Sequence, residues 1–201
     1  MIKLARALPA LTIVALAACQ EEPTAKPMSK ASESAKLART SAVEVFRVQF
    51  APMNNSGVNA EATLEFRDGN LSVTLNGNGR IPNQIHPQHI HGFDTQSSAC
   101  PTLANDTNGD GIITFAEGSP IFGPVQVDLQ PYPTPTNAGG ATHYRATFVA
   151  GTVPFASSDL TKKTMVLHGD FFGGSYDPSL PVACGRVEAV NAAATADTLP
   201  Q

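Results

Sequence analysis

Between residues 41 and 190 the chain carries a series of short strand-like runs, some of which alternate apolar and polar residues with a period of two. Ala42 to Phe50 is rich in β-branched and aromatic residues, and Ala60 to Phe66 alternates cleanly. Asp68-Gly69 then separates that run from a second alternating one, Leu71 to Leu75. An Asp-Gly pair between two such runs is a strong hairpin signal, because both residues tolerate the positive φ that a tight hairpin turn needs. Further strands are expected at 88–93, 124–130, 142–150, 163–168 and 182–190. No helical period stands out inside 41–190, and no segment repeats at fixed spacing. Eight short strands with polar, Pro- and Gly-rich connections predict an all-β fold, an antiparallel sandwich or barrel.

The ends of the chain read differently. Met1 to Arg6 carries Lys3 and Arg6, and Ala7 to Ala18 is apolar and uncharged. This is the pattern of a secretory signal, and the stretch is too short for a stable membrane span. It closes on Leu16-Ala17-Ala18-Cys19, which resembles the lipobox of bacterial lipoproteins. That resemblance implies cleavage before Cys19 and a diacylglycerol on its thiol; the alternative is a plain signal peptide with an incidental Cys. Gln20 follows instead of an Asp, which favours the outer membrane of a bacterial envelope. Residues 20–40 are Pro, Ser, Ala, Lys and Glu with few large apolar residues, the composition of a tether. The expected organisation is a signal at 1–18, a lipidated Cys and tether at 19–40, a β domain at 41–190 and a loose tail at 191–201.

Composition narrows the class. The chain has 201 residues, 42% hydrophobic and 15% charged, so it can build a core and is not a charge-rich disordered chain. Net charge is −4 and no basic stripe exists, which excludes a nucleic-acid partner that depends on phosphate neutralisation. No Gly-rich phosphate loop or nucleophile elbow occurs. Of three cysteines, Cys100 and Cys184 remain if Cys19 is lipidated, and in an oxidising compartment they form the one intrachain disulfide available. Two buried free thiols are the alternative.

Two constellations carry chemistry. Three of the five histidines lie in Ile85-His86-Pro87-Gln88-His89-Ile90-His91. On a strand His89 and His91 share a face, so both imidazoles can reach one transition metal. His168, at the end of the apolar run 164–167, is the expected third ligand, with His86 or His143 as a possible fourth; surface or hydrogen-bonded histidines are the bland alternative. The second constellation, Asp106 to Glu117, matches the twelve-residue EF-hand loop. Asp106, Asn108 and Asp110 supply oxygens at positions one, three and five. Gly111 makes the turn, Ile112 offers its carbonyl, Thr114 is position nine and Glu117 gives two oxygens at position twelve. The flanking residues do not look like a helix pair, so an isolated calcium loop stiffening a β connection is expected.

His89-Ile90-His91, Cys100, Val166-Leu167-His168 and Ala183-Cys184-Gly185 resemble, in that order, the Cu/Zn superoxide dismutase pattern over about 85–190. The resemblance implies a Greek-key β-sandwich of about eight strands, copper on His89, His91 and His168, and a Cys100–Cys184 disulfide tying a long loop to the last strand. Gln88-His89-Ile90-His91-Gly92 after a hairpin is also similar to chordin-type (CHRD) domains. The departures are informative. The segment after Cys100 holds no bridging or zinc-binding His, so zinc is doubtful. The position of the family's active-site Arg, three residues before the second Cys, is Pro181, and Arg186 lies after it. Three functions follow as expectations: a copper-dependent dismutase acting on superoxide, a non-enzymatic copper- and calcium-binding CHRD-like envelope module, and a calcium-stabilised structural lipoprotein.

Overall fold

The computed structural model describes residues 42–190. The expectations for the signal, Cys19, the tether and the tail lie outside the described residues. The described chain forms β1 (Glu44–Gln49), β2 (Ala51–Pro52), β3 (Asn59–Arg67), β4 (Asn70–Asn78), β5 (Gln88–His91), helix α1 (Phe115–Phe122), β6 (Val125–Asp128), β7 (Thr142–Phe148), β8 (Thr164–Phe172), β9 (Ser175–Arg186) and β10 (Glu188–Ala189). Two antiparallel sheets of five strands result, ordered β10-β1-β3-β4-β7 and β2-β9-β8-β5-β6. The all-β sandwich is therefore present. Ten strands replace the expected eight because two-residue pieces, β2 and β10, add to the sheet edges.

The eight longer strands follow a Greek-key path. The chain leaves the first sheet after β4, makes β5 and β6 in the second, returns as β7 beside β4, and crosses again as β8 beside β5. The β3–β4 hairpin turns at Asp68 and Gly69, whose φ values of 52° and 77° are the pair a type I′ turn requires. Its alternating residues Ala60, Ala62, Leu64, Leu71, Val73 and Leu75 face Ile90, Met165, Leu167 and Val182 of the second sheet, all in one core.

A shorter layer covers the outer face of the second sheet. Residues 92–124, between β5 and β6, fold back over it and bury Ile113 and Phe122 against Val166 and Cys184. The Cys100–Cys184 disulfide, with Cα atoms 5.7 Å apart, ties this excursion to β9 across 84 residues of sequence. Helix α1 corrects the expectation of no helix in 41–190. It is capped by Thr114 and Glu117, each side chain bonding the other's backbone in a capping box. It begins at position ten of the calcium-type loop, so that loop has a helix on its exit side; its entry side carries one short 3-10 turn, Leu103–Asn105.

Candidate metal centre

Strand register brings the cluster together. Against β5, β8 sets Val166 opposite His89 and Thr164 opposite His91. Side chains at 164, 166 and 168 therefore share the outer face with those at 89 and 91, while Ile90, Met165 and Leu167 point into the sandwich. The strand does not end at His168, as the sequence suggested, but runs on to Phe172 through register shifts on both sides of His168. Such irregularities re-aim a side chain out of the regular pleat. Ligand-capable nitrogens of His89, His91 and His168 all lie within 4.8 Å of one another, and this trio could hold a metal ion.

The proton arrangement suits that task. His91 Nδ1–H donates to the Gly123 carbonyl at 2.9 Å, and His168 Nδ1–H donates to the Ser179 carbonyl at 2.8 Å. A carbonyl only accepts, so each ring carries its proton there and leaves Nε2 as a bare lone pair. His91 Nε2, His168 Nε2 and His89 Nδ1 are buried without any hydrogen-bond partner. Three such nitrogens, close together and without a partner, are costly in a fold unless a cation or water satisfies them. Locking the far nitrogen of each imidazole is how metal-binding histidines are commonly oriented.

Burial also keeps the rings neutral. It pushes His91 down to about 4, with the Gly123 bond opposing. His168 falls to about 3, through burial first and then the neighbouring His89 and His91. His89 is lowered by burial, against the pull of Asp128. Neutral imidazole is the form that binds metal.

The surroundings were beyond the reach of sequence reasoning. Phe122 at the end of α1 packs on His91 with ring centres 4.6 Å apart, and Gly123 provides the carbonyl that holds it. Gly118 makes room: a Cβ there would meet the Phe122 ring at 2.4 Å. Phe115, at the start of α1, lies 6.2 Å from His168 between ring centres. A cleft of about 250 Å³ opens over His89 and His168, walled by Pro87, Phe115, Tyr132, Pro178 and Ser179. No residue of that lining carries a positive charge. Phe171 and Phe172 are exposed and are not among the wall residues; Phe171 packs edge-on against Tyr176.

Both candidates for a fourth ligand lie elsewhere. His143 stands on β7 in the opposite sheet, exposed, with Nδ1 2.6 Å from Asn76 Oδ1. Its neighbour Tyr144 points into the core, so His143 points away from it. His86 is buried, and its ring nitrogens face the carbonyls of Ile81 at 2.8 Å and His168 at 3.1 Å. Together with Tyr176 it crowds Gly169, whose φ of 106° and missing Cβ allow the chain to pass. His86 thus supports the backbone that carries His168 and is not in the trio.

Of the calcium-type residues, Asn108 and Asp110 are exposed and Asp106 is half-buried. Asp106 accepts backbone N–H bonds from Gly109 and Gly111, and Asp110 accepts one from Ile112. Glu117 accepts from the backbone N–H and the hydroxyl of both Thr107 and Thr114, and these bonds, those from Thr114 first, hold its carboxyl down at about 2. Asn54 clamps Ile113 from outside, accepting from its N–H and donating to its carbonyl. Among the described residues, the histidine trio is the one group of three such side chains close enough to share an ion.

Fold and site together define a β-sandwich with a three-histidine cluster, half-roofed by a disulfide-tied loop, that could hold a metal ion. No model of a known protein family and no curated protein matches the chain.

Proposed function

We propose that this protein is an exported, lipid-anchored copper protein of superoxide dismutase-like type. The observation that carries the reading is the convergence of three buried, unpartnered imidazole nitrogens, two of them on rings whose protons are held on the far side by backbone carbonyls. Imidazole donors suit copper in both oxidation states. The order of His-x-His, Cys, His and Cys along a Greek-key sandwich supports copper over other metals, because it is the order the resemblance implies. Copper, when bound, supplies the one-electron couple that superoxide dismutation needs. His89, His91 and His168 would hold it. The cleft above His89 and His168, walled by Pro87, Phe115, Tyr132 and Pro178, gives a small anion a way in.

A second reading, copper holding without catalysis, is favoured by the cleft itself. Superoxide is an anion, and a positive funnel speeds such substrates roughly 10–1,000-fold. Here the lining has no cation and Asp128 stands beside His89, 3.5 Å from its Nε2. For loop 106–117 we propose a calcium ion of structural type, held by Asp106, Asn108, Asp110, the Ile112 carbonyl, Thr114 and Glu117; the spacing supports it. Copper titration of the soluble domain tests the metal reading, and binding must vanish in His89→Ala and His91→Ala. A dismutation assay on the copper-loaded protein separates the two readings: a rate no better than that of a copper–peptide complex removes the enzyme. Radiolabelled fatty acid that enters the full chain but not Cys19→Ser would support the anchor.

A further inference from the structure

His89 stands apart from the other two members of the trio. His91 and His168 are each oriented by a backbone carbonyl, and each offers Nε2. His89 offers Nδ1, and its far nitrogen, Nε2, meets side chains alone: the Tyr132 hydroxyl at 3.3 Å and Asp128 Oδ1 at 3.5 Å. Those two groups are themselves joined, the Tyr132 hydroxyl donating to Asp128 Oδ1 at 2.5 Å.

The direction of that last bond decides the rest. A carboxylate can only accept, so the one phenol proton is committed to Asp128. The phenol oxygen then faces His89 with lone pairs, and Nε2 can approach it only as a donor. Proton order therefore runs from His89 Nε2–H to Tyr132, and from Tyr132 to Asp128. We infer that Tyr132 and Asp128 are positioning residues that fix the His89 proton on Nε2, so that Nδ1 completes the metal-binding trio.

The fold holds the pair in place. Asp128 lies on β6 directly opposite His89 in the strand register. Gln130 Nε2 donates to its other oxygen, Oδ2, at 2.7 Å, leaving Oδ1 for Tyr132. The Tyr132 ring packs edge-on to His89, with centres 5.9 Å apart, and lines the cleft. This is the one ligand of the three whose donor atom is set by side chains, and hence the one that substitution away from the trio can switch.

The inference rests on the copper reading for its affinity consequence only. The test starts with metal-free protein, reading the imidazole tautomers at neutral pH by long-range ¹H–¹⁵N NMR. The wild type should show His89 solely as the Nε2–H form. Tyr132→Phe, which keeps the ring and removes the hydroxyl, should populate the Nδ1–H form, and Asp128→Ala should do the same. Asp128 is partly exposed, so its replacement spares the core. Cu²⁺ titration of the same samples should show a roughly 10–100-fold loss of affinity in both variants, the usual scale for outer-shell partners of ligating histidines. An unchanged His89 tautomer in both variants overturns the inference, whatever copper does. A wild type that binds no copper overturns the metal reading, and the tautomer result still decides the inference.

Discussion

Two regions of this molecule carry metal-type motifs, the histidine trio and loop 106–117, and they handle their polar atoms in opposite ways. The trio keeps three unpartnered nitrogens buried and close together, and no donor reaches them. The loop lies at the surface, and its carboxylates are already served by its own N–H and hydroxyl groups. A cation entering the trio displaces nothing that the protein itself provides. At the loop it competes with four hydrogen bonds on Glu117 alone. The lesson is one of preorganisation: the trio should bind tightly, and the loop only where its ion is abundant. The two regions are also mechanically joined, since α1 begins inside the loop and ends on His91.

The largest effect should come from removing a ligand. His168→Ala should abolish measurable Cu²⁺ binding by isothermal titration, while an equivalent change in the loop, Asp106→Ala, should leave it within about threefold, below the roughly 10–100-fold loss expected of an outer-shell partner. Equal losses would break the comparison.

Next comes the crosslink. Reducing Cys100–Cys184 frees a loop of 84 residues and should cost about 4–5 kcal/mol in denaturant unfolding, on chain-entropy grounds. Because the same bond pins the cover over the trio, copper affinity should fall with it.

Acid should then separate the regions. His91 and His168 have folded pKa values of about 4 and about 3, below the ordinary 6.5 of the unfolded chain. Between those limits the unfolded state takes up protons that the fold refuses, so stability falls as pH drops. The metal-free protein should hold a constant Tm above pH 6.5 and lose it progressively toward pH 3. Glu117, held down at about 2, adds its own loss only below its ordinary range near 4.5. A flat Tm between pH 6.5 and 4.5 would contradict the neutral, buried trio.

A smaller effect is expected from Gly118→Ala. The added methyl meets the Phe122 ring, which leans on His91, so overpacking of about 1–3 kcal/mol should appear together with weaker copper binding. The smallest should be calcium itself. At ten times its Kd a structural ion adds about 1.4 kcal/mol, readable as a modest rise in Tm that Glu117→Gln abolishes.

Some of this is legible in the sequence alone. The hairpin at Asp68-Gly69, the shared face of His89 and His91, and the Cys100–Cys184 pairing all follow from short-range pattern or simple counting. Helix α1 was not legible, although its signal was present. Thr114 and Glu117, three apart, are both a capping box and positions nine and twelve of a calcium loop, and Gly118 and Pro120 disguise the rest as a turn. Tyr132, in a proline-rich stretch that reads as a bland extended loop, gave no sign of reaching His89.

By itself, then, the amino-acid order determined the strands, the hairpin, the two candidate donor sets and the cysteines free to pair. These depend on neighbours along the chain, where alternation and turn chemistry act directly. The tertiary structure decided which histidines meet, which nitrogen each one offers, and what covers them. Those choices depend on strand register and on a loop folding back over a sheet, and such contacts between distant segments leave no local trace in sequence.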